Sequence, residues 1–321
     1  MPKVLCLVEA TNPIAAEANK RIPDGWDLVI ADGTSKSKRP ENTISSADFL
    51  LLANSAALTD DLLRLGNNVR LIQLTSAGYD GVNLLLSGEL GIPVANNGGA
   101  NAIPVAEFAI TLMLATLRHL IVLDRETRAG RWMPDWASGE NSYELSGKTI
   151  GIVGAGRIGS TVARLLRGFE PVLRYTDPLQ SQIAESYGAK RVGLDCLLSQ
   201  SDIVTVHVPL APSTRALIGT KEIASMKHSA VLINSSRGPV IDEAALIESL
   251  RLGQIWGAGI DVFEQEPVNP QNPLLKMENC VIAPHVAGKS QESMPRRVQF
   301  AMDNMQRVWN GQSPESIVKT D

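Results

Sequence analysis

Only three cysteines occur among 321 residues, Cys6, Cys196 and Cys280, far apart and without CxxC spacing. That scarcity excludes a disulfide framework and a thiolate zinc site, and it fits a reducing compartment, taken here as the cytoplasm. Long apolar runs are also missing. The longest uncharged helical stretch, Phe108 to Leu117, falls short of the roughly 18 residues of a membrane span. The opening MPKVLCLVEA carries neither the apolar core nor the cleavage pattern of a signal peptide. There is no excess of positive charge: 30 basic residues stand against 34 acidic ones, a net charge of −4. Neither nucleic acid nor an anionic membrane is therefore an expected partner. No repeat or low-complexity tract is present, and at roughly 100 to 200 residues per domain the length suggests two packed domains.

Short runs of Val, Ile and Leu alternate with amphipathic segments, the pattern of parallel strands joined by helices, so the expected class is α/β. Five strands are predicted in the first hundred residues: Val4–Val8, Trp26–Ala31, Phe49–Ala53, Leu71–Leu74 and Pro93–Ala95. Seven more follow: Thr149–Val153, Val172–Thr176, Ala189–Val192, Ile203–Val206, Ala230–Asn234, Gly257–Asp261 and Cys280–Ala283. Between the two sets, NNGGAN at Asn96–Asn101 reads as a hinge, followed by one long helix over Ala102–Ala129. That helix is apolar nearly all round, so either a second subunit or another part of the same chain must cover it. Trp132 and Trp136 come next, in a loop that either reaches a neighbouring subunit or anchors itself. A final helix, Ser290–Trp309, returns to the first domain. The expected division is 1–99 plus 288–321, with 100–287 inserted as one unit; each domain is a doubly wound parallel sheet.

GAGRIG follows the strand Thr149–Val153 and precedes a helix, placing Gly154, Gly156 and Gly159 in Gly-x-Gly-x-x-Gly spacing. The first glycine permits the turn, the second admits a pyrophosphate, and the third lets helix pack on strand, with Arg157 and Ile158 opening the helix. Asp177 ends the next strand, 177 − 159 = 18 residues on, close to the spacing of roughly 20 for an acid that binds the adenosine ribose. A carboxylate there repels a 2′-phosphate, so NAD is expected over NADP; Arg174 on the same strand is the one residue that argues otherwise.

A nicotinamide enzyme needs a proton carrier, and histidine titrates near neutral pH. Four histidines occur. His119 sits in the apolar helix and His228 precedes a strand. His207 and His285 both follow strands, at the carboxyl edge where open α/β sheets bind ligands, and sheet geometry does not choose between them. Arg237, in NSSRG, and Glu266, in DVFEQEP, follow strands at the same edge. Arginine offers a fork for a carboxylate, and a carboxylate beside histidine stabilises the imidazolium.

The segments TSAGYDGVNL, GAGRIG, INSSRGPVIDEAAL, GAGIDVFEQEP and APHVAG, in this order over nearly the whole chain, resemble the D-isomer-specific 2-hydroxyacid dehydrogenase family. The resemblance implies a Rossmann NAD-binding domain inserted into a flavodoxin-like substrate domain, with the catalytic cleft between them; a homodimer through the 102–129 helix region is the expectation from the apolar helix. It implies Arg237, Glu266 and His285 as the catalytic set, with His285 the general acid/base and His207 part of a cofactor wall. Val208, Pro209, Thr214, Ser235, Ser236, Arg237 and Asp261 would line the NAD site beside the glycine loop. The N–H groups of Ala77 and Gly78, with Arg237, would receive the carboxylate of a small anionic 2-keto or 2-hydroxy acid.

Departures from relatives narrow the substrate. Phosphoglycerate-type members carry arginines where this chain has Asn54 and Leu74, phosphite-type members a lysine in place of Ala77, and formate-type members a glutamine in place of Glu266. Small uncharged tails, as in glyoxylate, hydroxypyruvate or pyruvate, fit best, and a bulkier apolar keto acid stays open. Glu170 stands where relatives often have glycine, and Met294 and Pro295 are expected to interrupt the final helix. The alternative from another class is an NAD(H)-sensing corepressor or binding module on the same fold.

Overall fold

A computed structural model describes residues 1–31, 40–53, 57–132 and 142–318; Trp136 and Asn54 lie outside the described residues. The chain divides into two compact units, Met1–Asn101 with Lys289–Asp321, and Ala102–Gly288.

The first unit is built on five strands, β1 (Lys3–Leu7), β2 (Asp27–Ala31), β3 (Phe49–Leu52), β4 (Leu71–Leu74) and β5 (Val94–Ala95), in the order β2-β1-β3-β4-β5. All pairings are parallel, and the order is that of flavodoxin-like sheets. Every residue of β3 and β4 is buried, which is why these strands read as nearly continuous apolar runs rather than alternating ones; the one polar residue, Gln73, donates to Leu74 O and Asn96 O. Leu74, where some relatives have arginine, is fully buried in this core. The closing helix, Ser293–Trp309, lays Val298, Ala301, Met302 and Met305 against the same sheet.

The second unit carries β6 (Thr149–Val153), β7 (Val172–Thr176), β8 (Lys190–Arg191), β9 (Ile203–Val206), β10 (Val231–Asn234), β11 (Gly257–Ile260) and β12 (Cys280–Ile282). They are ordered β12-β11-β10-β9-β6-β7-β8, the Rossmann arrangement with an added edge strand. The order reverses between β6 and β9, where doubly wound sheets bind their ligands.

Two expectations are corrected. The stretch 102–129 is not one helix but two, Ala102–Leu117 and Leu120–Arg128, bent by 64°. The break is at His119, in the left-handed region at φ 48°, with its ring 5.2 Å from that of Trp256. Met294 and Pro295 do not interrupt the final helix, which starts at Ser293 and so places Pro295 in its first turn. N–H groups there have no helical partner to lose, and proline is tolerated. Among the described residues, no single helix is long and apolar enough to cross a membrane.

Candidate functional site

The glycine loop follows β6, at the reversal of strand order in the second unit. Gly154 has φ +91°, and a Cβ there would lie 2.8 Å from Val208 Cγ1. A Cβ on Gly159 would lie 2.0 Å from the carbonyl oxygen of Gly154, while one on Gly156 would meet nothing within 4 Å. The first and third glycines are thus required by the fold. The second opens onto space at the start of the helix Arg157–Leu166, whose first N–H groups point outward as donors. The cradle therefore fits a dinucleotide pyrophosphate.

Asp177 stands beside this loop: its Oδ2 accepts from Ala155 N–H and its Oδ1 from Leu179 N–H, both at 2.9 Å. A carboxylate oxygen accepts more than one bond, so each keeps capacity for a ribose hydroxyl. Arg174, the reservation about NAD, lies in β7 with its Nε sealed from solvent and unpartnered. After β9, Val208 and Pro209 run past the glycine loop, and the Thr214 hydroxyl donates to Pro209 O at 2.6 Å and accepts from Ala211 N–H at 2.8 Å. After β10, Ser235 is buried with its hydroxyl unpartnered, whereas the Ser236 hydroxyl donates to Asn234 Oδ1.

His285, Glu266 and Arg237 come together at the carboxyl edge of the same sheet. His285 Nδ1 lies 2.7 Å from Glu266 Oε2, and Glu266 Oε1 accepts from Phe263 N–H at 3.0 Å. Burial pushes the Glu266 carboxyl up, but the bonds from His285 and Phe263 and the charges of His285 and Arg237 outweigh it, holding it below its ordinary value. The turn carrying Arg237 reaches this pair because of Gly238: a Cβ there would fall 1.9 Å from Phe263 O. Any side chain at 238 would separate the Arg237 turn from the Phe263–Glu266 loop. Sequence reading missed this contact, although a glycine directly after the candidate arginine was its available signal.

Asp261, taken from the resemblance as a cofactor-wall residue, is fully buried, and its Oδ1 and Oδ2 accept from Val286 and Ala287 N–H, each at 2.9 Å. Its carbonyl accepts from His285 N–H at 2.7 Å. These bonds hold His285 at φ +53°, a left-handed conformation that a non-glycine residue keeps only when its surroundings impose it. Asp261 thus shapes the loop that presents the imidazole.

The two candidate histidines differ chemically. Among the described residues the His207 ring bonds only to Thr205 Oγ1, at 2.8 Å, and its sealed Nδ1 has no partner; burial pushes the ring down to about 3. It stays neutral at physiological pH. His285 instead has a carboxylate on one ring nitrogen, and its side chain is 45% exposed, which leaves Nε2 open to a substrate.

In the first unit, the loop after β4 turns its carbonyls inward. Thr75 O accepts from Arg297 Nε and from Asn97 Nδ2 (3.4 Å), Ser76 O from Asn97 N–H (3.0 Å), Ala77 O from Asn96 Nδ2 (3.2 Å) and Gly78 O from the Ser76 hydroxyl (2.8 Å). In a trans peptide the N–H points opposite to the C=O, so the N–H groups at Ala77 and Gly78 face away from these ties. Neither has a partner among the described residues, and both residues are partly exposed. Successive outward N–H groups of this kind make an anion-binding concavity.

Residues 110–287 match the family model of the D-isomer specific 2-hydroxyacid dehydrogenase, NAD binding domain. The chain is 36% identical over 280 residues to a glyoxylate reductase of Korarchaeum cryptofilum, covering 87% of this chain and 84% of that protein. A glyoxylate reductase structure from Paecilomyes thermophila superposes with a TM-score of 0.87 at 28% identity, covering 99% of this chain and 98% of that one. An NADPH-dependent glyoxylate/hydroxypyruvate reductase of Sinorhizobium meliloti, solved with NADP and malonate, gives 0.83 at 28% identity, covering 99% and 96%. With its cofactor cradle, its paired imidazole and carboxylate, and these relatives along nearly its whole length, the chain belongs to the D-isomer-specific 2-hydroxyacid dehydrogenases, a family of NAD-dependent oxidoreductases.

Proposed function

We propose that this enzyme interconverts a small 2-keto acid and its D-2-hydroxy acid, with His285 as general acid/base, Glu266 as the group that stabilises its protonated form, and Arg237 as the clamp on the substrate carboxylate. The observation that carries the reading is the 2.7 Å bond between His285 Nδ1 and Glu266 Oε2, with the charge of Arg237 felt at the same carboxylate. Bound NAD(H) supplies or takes up the hydride at the substrate's C2. In the reducing direction His285 Nε2 gives its proton to the oxygen on C2, a contribution of typically 10² to 10⁴-fold for a positioned acid. Glu266 orients the ring through Nδ1. Arg237 holds the carboxylate with a planar fork, and the Ala77 and Gly78 N–H groups are further donors to it.

Gly154, Gly156, Arg157, Ile158 and Gly159 hold the pyrophosphate, and Asp177 accepts from the adenosine hydroxyls, favouring NAD. Val208, Pro209, Thr214, Ser235, Ser236 and Asp261 make the remaining wall. Glyoxylate and hydroxypyruvate, substrates in the names of the relatives, fit a chain with no arginine at Leu74. Ile103, Leu120 and Ile121 are 42%, 56% and 58% exposed, which supports a homodimer through the 102–129 region. Three unbonded cysteines suit the cytoplasm. The test is a screen of short 2-keto acids with NADH and NADPH. Oxidation of NADH with glyoxylate or hydroxypyruvate is expected; no oxidation of either cofactor with any acid would favour the NAD(H)-sensing module instead.

A further inference from the structure

Arg297, on the helix Ser293–Trp309, is 9% exposed, and no carboxylate pairs with it among the described residues. Its Nε donates to Thr75 O, and its Nη2 lies 3.5 Å from Thr75 Oγ1. Nη1 has no hydrogen-bond partner among the described residues. Burial pushes this guanidinium below its ordinary value with no nearby acid to oppose the shift. A buried, uncompensated cation is costly, and here it is spent on one backbone carbonyl at the root of the loop that turns Ala77 and Gly78 N–H outward.

Resting on the proposed function, we propose that Arg297 is a positioning residue for the substrate carboxylate: it fixes the Thr75–Gly78 loop from behind and lends the two outward N–H donors a positive field. The tie acts on orientation. With Thr75 O held by Arg297, and Ser76 O and Ala77 O held by Asn97 and Asn96, the loop cannot rotate a carbonyl toward the anion. The charge acts on affinity, because a cation in a poorly solvated position is little screened. Neither effect touches the proton or the hydride, so the consequence falls on substrate binding rather than on turnover.

Two variants separate this from general scaffolding. Arg297→Gln keeps a donor for Thr75 O and loses the charge; Arg297→Lys keeps the charge and loses the fork. The expected outcome is a keto-acid KM raised about tenfold in the Gln variant and about threefold in the Lys variant, the scale of one charge-assisted hydrogen bond. kcat and the NADH dissociation constant should hold at the wild-type values. A wild-type KM in Arg297→Gln, or a fall in kcat at constant KM, overturns the proposal. Should the Gln variant not fold, the Lys variant is read by the same criterion, and an unmoved KM overturns it. If the wild type reduces no keto acid, the proposed function itself fails; binding of oxamate, a non-reducible carboxylate of similar size, then compares the proteins by calorimetry, and equal affinity in wild type and variants sinks the Arg297 assignment.

Discussion

Replacing Glu266 with Gln removes one negative charge while leaving an oxygen to accept from Phe263 N–H, so it isolates the electrostatic part of the proposed pair. The carboxylate lies 2.7 Å from His285 Nδ1, with the side chains 45% and 37% exposed. Unit charges about 4 Å apart are worth about 1 kcal/mol in water and about 4 kcal/mol at an effective dielectric of about 20. Partial exposure places the pair near the lower end, about 1.4 kcal/mol, which corresponds to a factor of about ten in rate. The sign follows from the chemistry. The carboxylate attracts the positive charge that the ring carries while it holds the transferred proton, so its loss weakens proton transfer in both directions. kcat/KM should therefore fall by about tenfold for reduction of the keto acid and for oxidation of the hydroxy acid. Steady-state rates in both directions, with an NADH titration to show intact cofactor binding, decide it. A kcat/KM that stays in place or rises would refute the role given to Glu266.

Other expectations test separate parts of the account. Asp177→Asn removes the charge that excludes a 2′-phosphate and weakens acceptance from the ribose. The NADH over NADPH preference should fall by roughly 10-fold or more, the worth of a hydrogen bond to a charged group; an unchanged ratio of kcat/KM values would contradict the assignment. Asp202, bonded to Lys227 Nζ at 2.8 Å and to Thr149 N–H at 2.9 Å, tests the second unit's stability against pH. Burial raises its carboxyl, but the bonds to Lys227 and Thr149 outweigh that and leave it lowered. Its contribution is then present above the unfolded value of about 3.9 and is lost as the pH falls through the lower folded value. Asp202→Asn should cost about 1 kcal/mol at pH 7, and denaturant melts of the two proteins should converge as the pH falls through that lowered value.

Much of the fold is legible because parallel strands covered on both faces must be apolar throughout. Most strands among the described residues, from Lys3–Leu7 to Cys280–Ile282, stand out as runs rich in Val, Ile and Leu, with ends that differ from expectation by a residue or two; Lys190–Arg191, exposed at the sheet edge, is the exception in composition. The break at His119 was not legible: a left-handed residue other than glycine leaves no trace in an apolar pattern, and ring contact with Trp256 is a tertiary fact. Pro295 was misjudged because a proline disrupts a helix only beyond its first turn, and the exact start of a helix is what sequence specifies least. At the site, motif spacing pointed to Gly154 and Asp177, and position after strands pointed to Arg237, Glu266, His207 and His285; sheet geometry did not choose between the two histidines, and only the family resemblance singled out His285. Burial separates them, since the Nδ1 of His207 is sealed and the ring is pushed down to about 3, while His285 faces a carboxylate. Asp261 and Arg297 lay beyond sequence reading for a common reason. One resembles a cofactor ligand and the other a solvated helix residue until their partners, the Val286 and Ala287 N–H groups and the Thr75 carbonyl, are seen.

The central claim, that His285 carries the proton, is tested most directly by His285→Asn, assayed for reduction of glyoxylate and hydroxypyruvate by NADH alongside NADH binding by fluorescence. The account expects binding close to wild type and a kcat lower by about 10² or more; a variant that binds NADH and turns over at a rate near wild type would contradict it.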